Sequence, residues 1–217
     1  MLTRLHRASF LSALVFVLAL ASACSSTKSS LKEEGSGWLA PSPALQRRID
    51  DEARRLPWTH GVERVELIHW FASLGEPAYP TLLAMVSDPR KDVAIAALAA
   101  LGATRDSRLV APLSDVQLPD GPEAKDLQLE RARTLLRLGD WQAAPTLIAG
   151  LRDERLFTRA LCSQALTEAT HESFGFDPKA DEPAREVSVR RWEGWWEERS
   201  ADSLLPRPVP QPSPSRD

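Results

Sequence analysis

Cysteine is scarce in this 217-residue chain, with only Cys24 and Cys162 present. Two cysteines exclude a disulfide framework and a four-cysteine metal site. A basic excess is also missing. Lys and Arg total 27 against 30 Asp and Glu, a net charge of −3, so the electrostatic footprint of a nucleic-acid binder is absent. There is no Gly-rich phosphate loop and no Gly-x-Ser-x-Gly elbow. His6, His60, His69 and His171 have no partner at a metal-ligand spacing such as His-Glu-x-x-His. What is present is globular in composition: 43% hydrophobic and 26% charged, at a length that suits one domain with or without tails. Aromatic residues make up only 6%, yet seven of them are Trp.

The first residues predict an export signal. Arg4 and Arg7 form a short basic start, and Ala8 to Ala23 carries no charge. As a helix that run would span about 24 Å, short of the roughly 30 Å hydrocarbon core, which favours a removable signal over a permanent span. Leu20-Ala21-Ser22-Ala23-Cys24 resembles a bacterial lipobox. It departs at Ala21, where Leu is commonest. The alternative is an ordinary signal ending Ala-Ser-Ala. The resemblance implies that Cys24 becomes the lipidated first residue and anchors the chain to an envelope membrane. With Ser25 and Ser26 following rather than an acid, it implies the outer membrane if the organism is diderm. The expected organisation is a signal peptide over 1–23 and a Gly/Ser-rich flexible tether over 24–41. Helical repeats follow over 42–171, a Phe-Gly-Phe loop with a Trp-rich helix over 172–203, and a Pro-rich tail over 204–217.

The middle repeats itself, which predicts stacked helical units. Leu74–Leu82 is echoed by Leu138–Leu147 and, more loosely, by Thr104–Leu113. An Ala/Leu-rich helix is predicted ahead of each break, over Val62–Phe71, Val93–Leu101, Leu127–Leu135 and Thr158–Leu166. Extra residues fall at Gln117–Glu123, where Pro119-Asp120-Gly121-Pro122 cannot be helical. The run after Asp92 is apolar nearly all round, so that helix is expected between neighbours rather than on a surface. Ser42-Pro43 predicts a helix start, with Leu45, Ile49, Ala53 and Leu56 on its buried face.

Ala100-Leu101-Gly102, Leu138–Asp140, and the pairs Pro80/Leu82 and Pro145/Leu147 resemble the HEAT-repeat family of α-solenoids in its short bacterial form. Arg64 and Arg159 match that family's Arg near the start of the second helix, whereas Ala94 and Gln128 do not. The resemblance therefore implies an interrupted Asp–Arg ladder. It covers about half the chain, and the alternative is an irregular helical bundle. The fold class expected is all-α: an α-solenoid of HEAT-like helix pairs closed by a Trp-rich capping helix.

The C-terminal third supplies the remaining candidates. Phe174-Gly175-Phe176-Asp177-Pro178 precedes a helix placed over Pro183–Arg199 that carries Trp192, Trp195 and Trp196. This pairing resembles an ending found in bacterial HEAT-repeat lipoproteins. Phe174, Phe176, Trp192, Trp195 and Trp196 are the candidate cap, because the last unit of a repeat stack exposes an apolar face. The alternative is an aromatic platform for sugars or cell-wall peptides, edged by Arg190, Arg191 and Arg199. Cys162 falls where a small Ala-like residue belongs, so a buried inert thiol is expected. The expected function is a membrane-tethered scaffold or adaptor that binds another protein, with no catalysis, cofactor, metal or nucleic acid. The insertion Gln117–Glu123 is the first candidate for the partner-facing side. A small-ligand binder using the Trp helix is the second expectation, and a HEAT-like lyase-related enzyme the third.

Overall fold

In the computed structural model of the chain, residues 37–201 are described. The expectations for the signal peptide, Cys24, most of the tether and the Pro-rich tail fall on 1–36 and 202–217, outside the described residues. Among the described residues every regular element is a helix and no strand occurs, so the protein is all-α.

Nine α-helices follow one another among these residues: α1 Pro43–Arg55, α2 Gly61–Leu74, α3 Tyr79–Val86, α4 Lys91–Thr104, α5 Val110–Asp115, α6 Ala124–Arg137, α7 Ala144–Gly150, α8 Leu156–Thr170 and α9 Glu182–Ala201. Local chemistry sets their starts. Ser42 caps α1, its Oγ accepting the Leu45 N–H at 3.3 Å with Pro43 in the first turn. Helices α3, α5 and α7 are each entered through a short 3-10 turn, at Glu76–Ala78, Ser107–Leu109 and Trp141–Ala143. The carboxylates of Asp106 and Asp140 accept the Arg108 and Gln142 N–H groups at the second and third of these turns. Pro80 and Pro145 sit in the first turns of α3 and α7, where a missing N–H leaves no bond unmade.

The helices pack as pairs. Helix α4 touches α2, α3 and α6, while α6 touches α4, α7 and α8. The even-numbered helices α2, α4, α6 and α8 therefore form a row in which each meets the next. Helix α4 has neighbours on three sides because its apolar residues run all round. Val93, Ala96, Ala97, Leu98, Ala100 and Leu101 are all buried. Small residues let the axes come close. A methyl added at Gly102 would sit 3.4 Å from Thr134 Cγ2 of α6, whose hydroxyl donates to the Leu98 carbonyl at 3.2 Å. At Gly150 an added methyl would run into the Cys162 Sγ, so the end of α7 lies directly on α8.

The predicted helices are all present, each longer than its apolar run. The predicted face of α1 is buried at Ile49 and Leu56 and partly buried at Leu45 and Ala53. Residues Gln117–Glu123 contain no helix. The turns fall on two opposite edges, separated by the length of the 14-residue α4, about 21 Å.

One edge is aromatic. There the start of the described chain is held down. The Leu39 N–H donates to Glu76 Oε2 at 2.8 Å, and Trp38 meets Tyr79 edge-on at 4.9 Å. The guanidinium of Arg108 lies 5.3 Å from the Trp38 ring and pairs with Glu76 at 2.6 Å. Residues ahead of α1 are thus fastened to the entries of α3 and α5.

The other edge is ionic. Arg64 pairs with Asp92 at 2.9 Å, Lys91 with Glu123 and Asp126 at 2.5 Å each, Lys125 with Asp153 at 2.6 Å, and Arg155 with Asp126 at 2.6 Å. Ala94 and Gln128 carry no charge. Three residues earlier in each case, Lys91 bridges α4 to Asp126 of α6, and Lys125 bridges α6 to Asp153 in the turn before α8. Arg159 forms no ion pair among the described residues, and its guanidinium is used on backbone carbonyls.

Candidate functional site

The C-terminal aromatic residues converge. A left-handed pair, Phe174 at φ 48° and Gly175 at φ 71°, folds the loop after α8 back on itself. Phe176 is thereby buried, and Phe174 is set edge-on to Trp192 with ring centroids 4.7 Å apart. The Phe174 carbonyl accepts from Arg191 at 3.3 Å. Trp192 also meets Trp195 edge-on at 5.5 Å, and Trp195 lies 6.5 Å from Trp196 and 6.1 Å from Trp141. Arg199 stands over Trp141 at 4.4 Å and over Trp195 at 5.5 Å.

These neighbours divide the five candidates. Trp192 is fully buried, and its indole N–H has no acceptor, so it offers nothing to a ligand. Trp195 and Trp196 are half-buried, and Trp195 is already flanked by Trp141, Trp192 and Arg199. Helix α9 packs along α7, and Arg152 holds Glu186 in its first half and Glu193 near its middle, each at 2.7 Å. Cys24, the expected lipidation site, lies outside the described residues.

A second feature lies on the ionic edge. A groove of about 270 Å³ opens between the starts of α4, α6 and α8, lined by Ile95, Leu129, Phe157 and Leu161. Lys91, Asp126 and Arg155 stand at its rim. Phe157 is 77% exposed, an unusual position for so large an apolar side chain. Glu123, the last residue of the insertion, reaches this rim through Lys91. Sequence reasoning placed the insertion on the partner-facing side but missed the groove. Its one visible sign was Leu156-Phe157 in the first turn of α8, which cannot be told from ordinary core residues without knowing where neighbouring helices stop.

The rim charges hold one another ionised. Hydrogen bonds from Arg155 and then Lys91 keep the Asp126 carboxyl below its usual range, and Asp126 and Glu123 raise the Lys91 ammonium. Asp153, buried beside Arg155 and Lys125, is depressed furthest, with the Arg155 hydrogen bond the chief cause. A depressed carboxylate contributes stability that is present above its unfolded pKa of about 4 and is lost as pH falls toward the folded value. Asp153→Asn should therefore be less stable than the parent at pH 6, and the gap should narrow below pH 4. Urea midpoints at pH 6 and pH 3 measure this, and an equal gap at both would contradict it.

Other reactive groups are set apart. Cys162 is buried under α7, and burial pushes its thiol up to about 12, which removes thiolate chemistry at neutral pH. His60 precedes α2 as its N-cap residue, His69 lies within α2, and His171 takes the left-handed position that ends α8. Among the described residues no group of three or more His, Cys, Asp and Glu lies close enough to hold a metal, and no helix is long and apolar enough to cross a membrane. No protein-family model matches the chain, and no curated protein matches it.

Proposed function

We propose that this protein is a membrane-tethered adaptor: a HEAT-like α-solenoid, lipid-anchored at Cys24 in a cell envelope, that binds another protein and carries out no catalysis. The observation that supports the repeat reading best is the row α2, α4, α6, α8. Each helix in it buries a face that its own partner helix leaves open. In this reading α9 is the cap. It lies on α7, the helix paired with α8, and covers an apolar face there with Val189 and Trp192. The aromatic cluster is then structural, and binding falls to the exposed edges.

The tethering half rests on the lipobox-like Leu20–Cys24. Acyl chains contribute about 0.8 kcal/mol per buried methylene, and stable attachment takes more than one chain. Cys24→Ser is expected to move the protein from the membrane fraction to the soluble fraction. Intact mass of the processed parent should show an N-terminal cysteine carrying acyl chains. An unmodified thiol there, or unchanged membrane association of Cys24→Ser, would remove the anchor. Pull-down from solubilised membranes tests the binding half, and failure to recover any reproducible partner would remove it.

A further inference from the structure

We infer that the open start of the row, carried by Trp58, Val62 and Val65, is a self-association face on which a second copy of this chain docks by two-fold symmetry. The inference goes beyond the adaptor reading and stands without it.

The register of the units shows what is unusual there. Phe71, Leu101 and Leu135 are matching buried residues of α2, α4 and α6, and nine positions before them stand Val62, Asp92 and Asp126. In α4 and α6 that place is ionic and meets the preceding helix. Asp92 accepts from Arg64 of α2, and Asp126 accepts from Lys91 of α4. In α8 the same count from Leu166 reaches Phe157, which lines the groove beside α6. Helix α2 packs chiefly on α4 and has no predecessor in the row. A row that simply ended in water would present a polar face, as the terminal units of repeat proteins do. Val62 is instead 74% exposed, Val65 in the next turn 53%, and Trp58, at the end of the 3-10 turn leading into α2, 78%. The place that joins one unit to the next is kept, with an apolar side chain where α4 and α6 have an acid.

Area and charge point to a second copy as the occupant. Trp58 exposes about 200 Å², taking a whole Trp as about 250 Å², and the two valines add roughly as much, which puts the patch among those that mark interaction sites. Two such patches face to face would cover about 800 Å² of apolar surface; at the usual apolar share of roughly 57–65%, the whole contact would be about 1,200–1,400 Å², enough for a specific dimer. Flanking charges are satisfied within each copy, since Arg54 holds Asp51, Arg55 holds Glu52 and Glu63, and Arg64 holds Asp92. Of the two acids of α2, only Glu66 holds no cation among the described residues. Its repulsion of its own mate is the kind that salt screens. The face is thus apolar with its cations occupied, and its own image matches it. A two-fold pair also closes on itself and leaves no second patch to grow from.

The test is sedimentation equilibrium of the detergent-solubilised full chain over a range of concentrations, with Val62→Asp, Trp58→Ser and Phe157→Ser beside the parent. The parent should dimerise with a dissociation constant in the micromolar range or tighter, and added salt should strengthen the dimer. Val62→Asp, which supplies the acid found in α4 and α6, should abolish it by setting two carboxylates against each other across the two-fold. Trp58→Ser should weaken it on the order of tenfold, as for a central aromatic anchor. Phe157→Ser should leave it unchanged. All three side chains are exposed, so unchanged thermal unfolding of the variants is expected and separates association from folding. A parent that stays monomeric, a dimer indifferent to Val62→Asp and Trp58→Ser, or a dimer lost with Phe157→Ser would overturn the proposal. A monomeric parent whose membrane partner is lost with Trp58→Ser would place a foreign protein on this face, overturning the dimer while leaving the adaptor reading intact.

Discussion

Replacing Trp192 by alanine is expected to lower the melting temperature by about 12 °C, from a loss of roughly 3–5 kcal/mol at about 2–4 °C per kcal/mol for a chain of this size. Trp192 has no exposed surface, and its ring is held between Phe174 and Trp195. Truncation would open a cavity where α9, α7 and the Phe174–Pro178 loop meet. The indole N–H has no acceptor, so the polar atom contributes no bond to the site. Trp192→Phe should then keep most of the stability, since it retains an aromatic ring and removes a buried donor without a partner. Thermal unfolding of the two variants checks the pair. Near-parental melting of Trp192→Ala would show that α9 does not cap the apolar face of α7.

Arg159→Met should cost about 8 °C, from roughly 2–3 kcal/mol, because a buried group with several charged hydrogen bonds is removed and its acceptors are left buried. Arg159 lies at the start of α8. Its Nη1 donates to the carbonyls of Asp153 and Glu154 at 2.8 Å, and its Nε and Nη2 donate to the Pro178 carbonyl at 3.0 and 2.8 Å. One side chain thus ties the turn before α8 to the loop that carries Phe174 and Phe176. Methionine preserves much of the length but supplies no donor. Lysine supplies donors but not the planar fork, so Arg159→Lys should recover only part of the loss. Thermal unfolding followed by tryptophan emission measures this, since loosening the loop also unseats Phe174 from Trp192. Full stability of Arg159→Met would contradict the assignment.

The helices were legible in the sequence because their signals are local. Ser42-Pro43 marks the start of α1 through the N–H that Pro43 lacks, and the Ala/Leu run of α4 reports burial on several sides without reference to its partners. Burial of Ile49, Leu56 and Cys162 followed from spacing alone. The ion pairs of the second edge did not follow. Lys91 meets Asp126 and Lys125 meets Asp153 only once inter-helix register is set, and close contacts such as Gly102 with Thr134 and Gly150 with Cys162 set that register. The resemblance to a repeat family directed attention to Arg64, Ala94, Gln128 and Arg159, whereas the bridging cations sit three residues earlier in the two middle units. Phe174 in a left-handed conformation was equally hidden, because a bulky residue carries no local sign of it. The exposure of Phe157 depends on where α4 and α6 end relative to α8, which composition does not encode.

The measurement that bears most directly on the adaptor account is amine cross-linking in intact cells followed by mass spectrometry. Among the described residues the lysines are Lys91, Lys125 and Lys179, and the first two stand on the ionic edge beside the groove. The account predicts reproducible cross-links from Lys91 and Lys125 to one other protein, recovered in the membrane fraction with the parent and lost from it with Cys24→Ser. Only intramolecular links from these two lysines, or a different set of neighbours in every replicate, would contradict it.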